Sequence, residues 1–534
     1  MCGIVGFIGN KDAKEVILNG LTRLEYRGYD SAGISLFNSK YQAFDVFKDE
    51  GRVLKLIEAT KKTLKSHIGI GHTRWATHGK VTKENAHPHY SQSKRFILVH
   101  NGVIENNETL RDQYLSDSIF YSQTDTEVIA QLIESFSSYL HVENAILTTL
   151  KLLEGSYALL VIDTTTPDII YAAKNKSPLV VGKSDDGTTI ASDLMALAGY
   201  SDTYFALDDK TFVVAYKNDV RVYNLNHELQ KIKMQPVEID ATSSEKGAFE
   251  HYMLKEINEQ PAIIRKISSQ YFKEGVIAIS DDIRNAINTC DRIYILAAGT
   301  SMHAGLIGKV LFEKQINLPV EVHIASEFAY HMPLLTKKPF FLMISQSGET
   351  ADLRACLVNL KAMGHQILTI TNVKTSTLAR ESNYFLEIFA GPEIAVASTK
   401  AYVAQIAVLS ILTYALSKKD FDLKHELSLV AIAIENFLAS NDIVAYVHDK
   451  LKRRNCFYIG RGLDYYTCLE AALKLKEISY IQTEGFAAGE LKHGTIALIE
   501  EGTPVIALVS DHHISANTRS NLNEVISRGA NTMI

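Results

Sequence analysis

Residues 340–370 read FFLMISQSGETADLRACLVNLKAMGHQILTI, and this stretch decides the fold of the second half of the chain. An apolar strand runs into the small polar loop Ser345-Gln-Ser-Gly-Glu-Thr, a helical pattern follows, and a second apolar strand begins after Gly364. Strands that alternate with helices are typical of a parallel α/β sheet. The loop is therefore predicted to lie at the carboxyl edge of that sheet, where ligands bind.

The hydroxyl groups of this loop suggest an anion site. Ser345, Ser347 and Thr350 precede a helix, whose N-terminus adds N–H groups and a dipole that favours a dianion such as phosphate. A Ser-x-Ser-Gly loop can also be only a turn and a helix cap. The position after a buried strand favours a ligand, and the same half holds two similar loops, Gly299-Thr-Ser and Val396-Ala-Ser-Thr-Lys.

The overall composition limits the classes of protein to which the chain can belong. Its 534 residues suggest roughly three or four compact units. A net charge of −6 without a basic block argues against a nucleic-acid groove. No apolar run approaches the ~20 residues that span a bilayer, and no basic signal-peptide segment is visible. The five cysteines form no Cys-x-x-Cys pair, so we expect a reduced, cytoplasmic protein without a cysteine-based zinc site.

The pattern of residues changes near position 240 and predicts four segments. Residues 1–240 contain short apolar runs broken by Gly, Asn and His, which are typical of a strand-rich layered domain. The small polar residues of 241–250 predict a linker, and 251–425 and 426–534 each show the alternation of a parallel sheet. The last run, Ala530-Asn-Thr-Met-Ile, predicts the start of a strand. A sheet without strands beyond it would expose apolar edges, so we expect the last domain to be incomplete.

The N-terminus carries a candidate nucleophile. Cys2 follows Met1, and removal of Met1 would place a free α-amino group on the residue that holds the thiol. An α-amine with a pKa near ~8 can act as the general base for its own nucleophile. Cys2 alone could equally be a small buried residue at the start of a strand, so the assignment depends on the surrounding segments.

Three further segments supply the groups that an α-amino acid amide needs. Gly71-His-Thr-Arg-Trp-Ala-Thr-His-Gly contains Arg74, whose guanidinium can bind a carboxylate through two hydrogen bonds. His100-Asn-Gly offers the side-chain amide of Asn101 and the N–H of Gly102 as an oxyanion hole. Asp125 can pair with a substrate ammonium. These groups favour a catalytic Cys2 over a structural one.

These segments resemble the glutaminase domain of class II glutamine amidotransferases. The motifs are Cys2-Gly-Ile-Val-Gly, Leu24-Glu-Tyr-Arg-Gly-Tyr-Asp-Ser-Ala-Gly, His72-Thr-Arg-Trp-Ala-Thr-His-Gly, Asn85-Ala-His-Pro-His and His100-Asn-Gly. The resemblance implies an αββα sandwich of the N-terminal nucleophile (Ntn) hydrolase type that needs no cofactor. It implies that Cys2 is the nucleophile and that Asn101 and Gly102 form the oxyanion hole. The implied glutamine-binding residues are Arg74, Thr77, His78 and Asp125, and the implied ammonia gate is Trp75.

The histidines of this half raise the alternative of a metal site. They are His72, His78, His87, His89 and His100. Their spacing matches no standard zinc pattern, and no nearby Cys, Asp or Glu cluster completes one. We therefore favour a structural and substrate-orienting role and expect no metal.

The second half resembles sugar isomerase (SIS) domains. Besides the loop at 345–350, the resemblance rests on Glu470-Ala-Ala-Leu-Lys-Leu-Lys-Glu-Ile-Ser-Tyr and Ala487-Ala-Gly-Glu-Leu-Lys-His-Gly, with Thr495 where Pro is usual. The fold class is thus mixed α/β, with two parallel-sheet SIS domains after the glutaminase. The combination implies glutamine and fructose 6-phosphate as substrates, and glucosamine 6-phosphate and glutamate as products. The implied sugar-phosphate residues are Ser301, Ser345, Gln346, Ser347, Thr350, Val396 and Ser398.

The same resemblance assigns proton transfer to one helix. Lys474 and Glu477 are spaced i, i+3 and can address one substrate from one helical face, although a surface ion pair has the same spacing. The family implies that Glu477 moves the proton between C1 and C2 of the sugar and that Lys474 supports the enediolate-like state. It also implies that His493 assists ring opening from the neighbouring subunit, and hence a homodimer.

Two alternatives to the complete reaction follow from the sequence. Family members continue into a C-terminal tail whose lysine forms a Schiff base with the ketose, and this sequence ends before such a tail. We therefore expect slow glutamine hydrolysis with little or no glucosamine 6-phosphate, as in a glutaminase-only form. The other alternative is a non-catalytic sugar-phosphate sensor, which glutamine hydrolysis that is abolished by Cys2→Ala would exclude.

Overall fold

The computed structural model describes residues 2–25, 28–76, 79–237, 246–440, 447, 451 and 455–534. The chain forms two compact units, Met1–Glu245 and Lys246–Ile534, and each is described by itself. Residues 241–245 of the predicted linker lie outside the described residues. Among the helices within the described ranges, none is long and apolar enough to cross a membrane.

The first unit is rich in short strands, as its broken apolar runs predict. Its strands are β1 (Gly3–Gly9), β2 (Ser31–Asn38), β3 (Ala43–Glu50), β4 (Ile68–Arg74), β5 (His89–Tyr90), β6 (Phe96–Ile104), β7 (Gly155–Asp163), β8 (Ile170–Asn175), β9 (Val180–Ser184), β10 (Gly187–Ala191), β11 (Thr203–Ala206), β12 (Thr211–Ala215), β13 (Val220–Asn224) and β14 (Gln235–Pro236). Its helices are α1 (Ala13–Leu24), α2 (Val53–Ala59), α3 (Asn107–Tyr114), α4 (Thr126–Ser137) and α5 (Val142–Leu152).

Two antiparallel sheets face each other in this unit. One has the strand order β14-β11-β9-β10-β1-β4-β2-β3 and the other β13-β12-β8-β7-β6-β5. Because side chains alternate along a strand, Ile4 and Ile8 of β1 enter the core between the sheets, whereas Val5 and Phe7 pack under α1. The outer face of β6 packs against α4 and α5. Three cores therefore separate four layers, which confirms the predicted αββα sandwich.

The second unit alternates helices with strands. Its helices are α6 (Tyr252–Tyr271), α7 (Asp281–Thr289), α8 (Gly299–Ile316), α9 (Ala325–Tyr330), α10 (Ala351–Ala362), α11 (Thr377–Glu381), α12 (Lys400–Leu416), α13 (Leu423–Ser440), α14 (Leu463–Ser479) and α15 (Ser515–Ile526). Its strands are β15 (Phe272–Lys273), β16 (Val276–Ile277), β17 (Arg292–Ala297), β18 (Val320–Ile324), β19 (Pro339–Ser345), β20 (Ile367–Thr371), β21 (Tyr384–Glu387), β22 (Asn455–Gly460), β23 (Gln482–Ala487), β24 (Pro504–Ala507) and β25 (Asn531–Met533).

The larger parallel sheet of this unit has the order β18-β17-β19-β20-β21. β18, the strand that follows β17 along the chain, pairs on one side of β17, and the next strand, β19, pairs on the other side. The connections that leave the neighbouring strands β17 and β19 therefore run in opposite directions. α8 follows β17 and α10 follows β19. A crevice opens at the carboxyl ends of two strands related in this way, and ligands of open α/β sheets bind there. The predicted strand from Phe340, the loop at 345–350 and the helix before Gly364 are confirmed, and the loop lies at this crevice.

The smaller parallel sheet repeats the arrangement with the order β23-β22-β24-β25. β25 is the strand predicted at the last residues, and it pairs in parallel with β24. Residues 425 and 426, between which the sequence analysis places a domain boundary, both lie in α13. The division into domains at that point stays a prediction.

Candidate active sites

The candidate nucleophile lies where β1 meets β4. Gly3 pairs with Thr73 in the antiparallel register, which places Cys2 beside the end of β4. The backbone N–H of Trp75 donates to the Sγ of Cys2 at 3.2 Å. Burial raises the pKa of the Cys2 thiol, although this N–H and the charge of Arg74 act in the opposite direction. The resting thiol is therefore protonated at neutral pH and needs a base before it can attack.

The segment that supplies this N–H is held from two sides. The carboxylate of Asp30 accepts a hydrogen bond from the N–H of Ala76 at 2.8 Å. Gly28 lies so close to the Arg74–Trp75 peptide that a Cβ there would be 2.7 Å from the nitrogen of Trp75. Only a residue without a side chain allows this approach. The ring of Trp75, the predicted ammonia gate, is 43% exposed.

The predicted oxyanion donors follow each other at the end of β6. The Nδ2 of Asn101 donates to the backbone carbonyl of Cys2 at 2.9 Å. A side-chain amide carries two N–H protons, so the second remains for a substrate oxyanion. Gly102 has a φ of +141°, and a Cβ there would be 2.0 Å from the carbonyl oxygen of Ser156. The structure thus brings Asn101 to the nucleophile and requires glycine next to it.

The residues predicted to bind the charged ends of glutamine are both buried, with Arg74 3% and Asp125 6% exposed. The guanidinium of Arg74 donates to the carbonyl oxygens of Gly79 at 3.4 Å and Lys80 at 3.2 Å. Asp125 accepts from the N–H of Ile104 at 2.8 Å. Burial lowers the pKa of Arg74, while the charge of Asp125 is among those that raise it. Both charged groups are therefore oriented by backbone contacts, as binding of a small zwitterion requires.

Four of the predicted histidines form a buried cluster: His72, His87, His89 and His100. The rings of His72 and His87 are stacked with centroids 4.0 Å apart, and the Nδ1 of His87 accepts from the N–H of His100 at 3.2 Å. Burial lowers the pKa of His72 to about 3 and those of His87 and His89 well below their ordinary value. These three neutral rings suit an orienting role. Thr77 and His78 lie outside the described residues.

Metal coordination finds no support in the part of the chain that the structure describes. There, no group of three or more His, Cys, Asp or Glu side chains is arranged to hold an ion.

The loop between β19 and α10 presents its hydroxyl groups at the crevice of the larger sheet. The Oγ of Ser345 lies 3.0 Å from the Oγ1 of Thr350 and accepts from the N–H of Gly348 at 3.0 Å. Thr350 occupies the N-cap position of α10, yet its side chain makes no capping hydrogen bond. Gly348 has a φ of +66°, and a Cβ there would be 2.0 Å from the Oγ of Ser376. Because the hydroxyl of Thr350 does not cap the helix, the geometry favours anion binding over a simple cap.

Ser301 lies in the first turn of α8, on the other side of this crevice. Its Oγ accepts a hydrogen bond from the Nε2 of Gln405 at 3.0 Å, which leaves the hydroxyl proton for another acceptor. Ser301 and the loop at 345–350 therefore follow the two neighbouring strands, β17 and β19.

The third predicted loop is connected to the loop at 345–350 through Asn372. The backbone N–H of Asn372 donates to the carbonyl of Gln346 at 3.1 Å, and its side-chain amide donates to the carbonyl of Gly391 at 2.6 Å. Val396 is 48% exposed, whereas the hydroxyl of Ser398 donates to the buried Glu393 at 2.7 Å. The structure thus joins the segment that carries Val396 and Ser398 to the loop, but it leaves their role in sugar binding a prediction.

The predicted proton-transfer pair forms a contact on α14. The Nζ of Lys474 lies 2.8 Å from the Oε2 of Glu477, which confirms that both residues share one helical face. The Nζ also donates to the Oγ1 of Thr300 at 2.9 Å. Thr300 precedes Ser301 in α8, so this contact brings the pair to the crevice of the larger sheet. His493 is exposed and lies in the short segment Leu491–His493.

Sequence reasoning missed three residues of this group: Thr300, His303 and Glu470. Glu470 lies four residues before Lys474 on the same face of α14, and the Oε1 of Glu470 is 3.3 Å from the Nζ of Lys474. The spacing of Glu470, Lys474 and Glu477, i, i+4 and i+7, was a signal that could have found Glu470, because such positions share one helical face. Thr300 and His303 lie about 170 residues earlier, and no local pattern connects them with α14.

Known protein families match most of the chain. Residues 58–267 match the family described as glutamine amidotransferase domain, and residues 286–415 and 451–534 match the family described as SIS domain. With the fold and the sites above, these matches define the class of protein as a glutamine amidotransferase with a sugar isomerase half.

Similar individual proteins define a particular family within this class. The glutamine–fructose-6-phosphate aminotransferase (isomerizing) of Bacillus thuringiensis subsp. konkukian is 55% identical over 100% of this chain and 90% of its own length. The protein of the same name from Geobacillus kaustophilus is 54% identical with the same coverage. The solved C-terminal domain of glucosamine-fructose-6-phosphate aminotransferase from Francisella tularensis matches 54% of this chain and 84% of that chain, at 35% identity and a TM-score of 0.50. The chain belongs to the family of glutamine–fructose-6-phosphate aminotransferases (isomerizing).

Proposed function

We propose that the chain converts fructose 6-phosphate and glutamine into glucosamine 6-phosphate and glutamate, the reaction EC 2.6.1.16. The observation that carries this proposal for the sugar half is the 2.9 Å contact between Lys474 and Thr300. This contact lies next to Ser301 in α8 and supports a proton-transfer pair close to the loop at 345–350. A phosphate site and a proton-transfer pair in one crevice suit a sugar phosphate that is isomerised while it is held.

In the first half-reaction the thiol of Cys2 attacks the side-chain amide carbon of glutamine. The α-amine of Cys2, exposed when Met1 is removed, takes the thiol proton and delivers it to the leaving ammonia. The second N–H of Asn101 and the N–H of Gly102 stabilise the oxyanion. Water then hydrolyses the γ-glutamyl thioester to glutamate. Arg74 and Asp125 hold the carboxylate and ammonium of the substrate, and their burial strengthens both contacts.

In the second half-reaction ammonia adds to the C2 carbonyl of the open-chain ketose, and water leaves to give an imine. Glu477 removes a proton from C1 and returns it at C2, while the ammonium of Lys474 stabilises the negative charge that develops. Together with the shift of the C1 hydroxyl proton to the imine nitrogen, this transfer turns the 2-imine into the 2-amino aldehyde, glucosamine 6-phosphate. The phosphate stays on the hydroxyls and N–H groups of the loop at 345–350.

We also propose that the enzyme is a cytoplasmic homodimer. The five cysteines are free, which suits a reducing compartment. His493 is exposed, so a neighbouring subunit could receive its side chain. Analytical ultracentrifugation of the purified chain tests this part, and a monomer at micromolar concentration would contradict it.

The experiment for the reaction supplies both substrates and quantifies both products. Wild type should release glutamate and form glucosamine 6-phosphate. Cys2→Ala should abolish both with glutamine, while Glu477→Gln should keep glutamate release and lose the amino sugar. Glutamate without any amino sugar from wild type would identify a glutaminase-only form, and neither product would identify a non-catalytic sensor. Near-equal yields would contradict the sequence-based expectation of little amino sugar.

A further inference from the structure

Glu470 is a buried carboxylate next to the Lys474–Glu477 pair, and the proposed mechanism does not use it. The side chain of Glu470 is 6% exposed. Its Oε1 accepts from the hydroxyl of Thr300 at 3.0 Å, and its Oε2 lies 2.7 Å from the Nδ1 of His303. Because an ionised carboxylate can only accept hydrogen bonds, Nδ1 of His303 must carry a proton and donate it.

The ammonium group of Lys474 is shared among three acceptors. It lies 2.9 Å from the Oγ1 of Thr300, 2.8 Å from the Oε2 of Glu477 and 3.3 Å from the Oε1 of Glu470. An ammonium has three N–H groups, so these contacts account for all of them. The position of the ammonium against Glu477 therefore depends on how strongly Glu470 attracts it.

We propose that His303 is a positioning residue for proton transfer, because its N–H satisfies one oxygen of Glu470 and so keeps Lys474 shared with Glu477. The inference rests on the proposed function of Glu477. Without this N–H, a buried carboxylate oxygen loses its donor, which is unfavourable. Lys474, the cation already in contact with Glu470, then turns towards that oxygen. Glu477 loses the contact that fixes its carboxylate for transfer between C1 and C2.

The third helix packed around this group adds a neutral side chain. Tyr402 lies on α12, and burial together with the charge of Glu470 raises the pKa of its hydroxyl. Tyr402 is therefore uncharged at neutral pH. Glu470, Lys474 and Glu477 all lie on α14, and the Nδ1 of His303 contacts the first of them.

Two substitutions of His303 separate this role from packing. In His303→Asn, the Nδ2 of asparagine is bonded to Cγ as the Nδ1 of histidine is, so a donor remains near the Oε2 of Glu470. In His303→Leu, a side chain of similar bulk offers no donor. A positioning role predicts that asparagine rescues and leucine does not.

The test measures proton transfer in the absence of the glutaminase reaction. The full-length chain is incubated with fructose 6-phosphate in D₂O without glutamine, and the exchange of the C1 proton is followed by NMR. We expect His303→Leu to lower the kcat of exchange tenfold to about a hundredfold. We expect KM, the calorimetric Kd for fructose 6-phosphate and the Tm to stay near the wild-type values, and His303→Asn to recover most of the rate.

Each other outcome has one meaning. Exchange at the wild-type rate in His303→Leu, or an equal loss in His303→Asn, would overturn the inference and leave the proposed function intact. A parallel loss of rate, affinity and Tm in His303→Leu would show that His303 serves packing only. If His303→Leu does not fold, Glu470→Gln should show the same selective loss of kcat, and an unchanged kcat would overturn the inference. Wild type without exchange would overturn the proton shuttle itself.

Discussion

The side-chain amide of Asn101 donates to the backbone carbonyl of Cys2 at 2.9 Å. Asn101 lies on β6 of one sheet and Cys2 precedes β1 of the other, so this bond joins the two sheets of the sandwich at the nucleophile. One amide group thereby fixes the residue that attacks and keeps a second proton for the oxyanion that the attack creates.

The first prediction concerns this amide. Asn101→Ala removes both N–H groups, and loss of one oxyanion donor typically costs ~10²–10³ in kcat. We expect a loss of that size in glutamate release. Asn106→Ala is the matched control, because Asn106 also bridges backbone groups, at Leu152 and Glu154, away from the nucleophile. Comparable kcat losses in the two variants would mean that Asn101 acts through stability alone.

The second prediction concerns the close approach of Gly28. A Cβ at this position would lie 2.7 Å from the nitrogen of Trp75, so Gly28→Ala should push away the peptide whose N–H donates to the Sγ of Cys2. We expect glutaminase kcat to fall roughly tenfold or more, because small misplacements of reacting groups are costly. Affinity for fructose 6-phosphate, measured by calorimetry, should not change. A fully active Gly28→Ala protein would show that the backbone adjusts without cost.

The third prediction concerns the phosphate loop. Ser347→Ala and Thr350→Ala each remove a neutral donor to a charged group, which is worth about 1.5–3 kcal/mol. The Kd for fructose 6-phosphate should rise about tenfold or more in each variant. Ser280→Ala is the control, because the hydroxyl of Ser280 caps α7 by accepting from the N–H of Ile283. It should lower stability by about 1 kcal/mol without changing this Kd. Unchanged affinity in the two loop variants would mean that these hydroxyls do not bind the phosphate.

The fourth prediction concerns the pH dependence of stability. Burial raises the pKa of Glu256 from 4.5 to about 7, so the folded state binds a proton that the unfolded state releases above pH 4.5. The stability that this proton contributes is complete below the unfolded value and is lost as the pH rises to about 7. The loss should be on the order of 3 kcal/mol.

Glu256→Gln mimics the protonated form, so the Tm of this variant should fall less than that of wild type between pH 5 and pH 8. Glu250→Gln is the matched control, because the side chain of Glu250 is 83% exposed, and its pH profile should follow that of wild type. Parallel profiles for Glu256→Gln and wild type would contradict the prediction.

Much of the fold could be predicted because it is encoded locally. The change from an apolar strand at Phe340 to the polar loop at 345–350 and then to a helix before Gly364 is visible in the sequence, and β19 begins within a residue of the predicted strand. The spacing of Lys474 and Glu477 likewise predicts their contact. Other features are not encoded locally. β5 is only two residues long, too short to give a pattern in the sequence. α13 continues through the boundary predicted between residues 425 and 426.

The candidate sites show the same division. Cys2, Arg74 and Asn101 lie together because distant strands pair, and residue chemistry together with motif resemblance, rather than spacing, identified them. Glu470 and His303 escaped notice because their meaning depends on a contact between α8 and α14. A histidine in an apolar helix carries no signal of its own until the packing partner is known.

Thr300 and Ser301 are consecutive in α8, and Thr300 contacts Lys474 whereas Ser301 contacts Gln405 and follows the strand next to the one that leads into the loop at 345–350. Since consecutive residues of one helix make these contacts, we expect α8 to fix the separation between the proposed phosphate site and the carboxylate of Glu477. The enzyme would therefore be specific for the length of the carbon chain of its substrate. A ketose phosphate with one carbon fewer, bound by the same phosphate contacts, would place its C1 and C2 one carbon–carbon bond short of Glu477 and would not be enolised, even though it occupies the crevice.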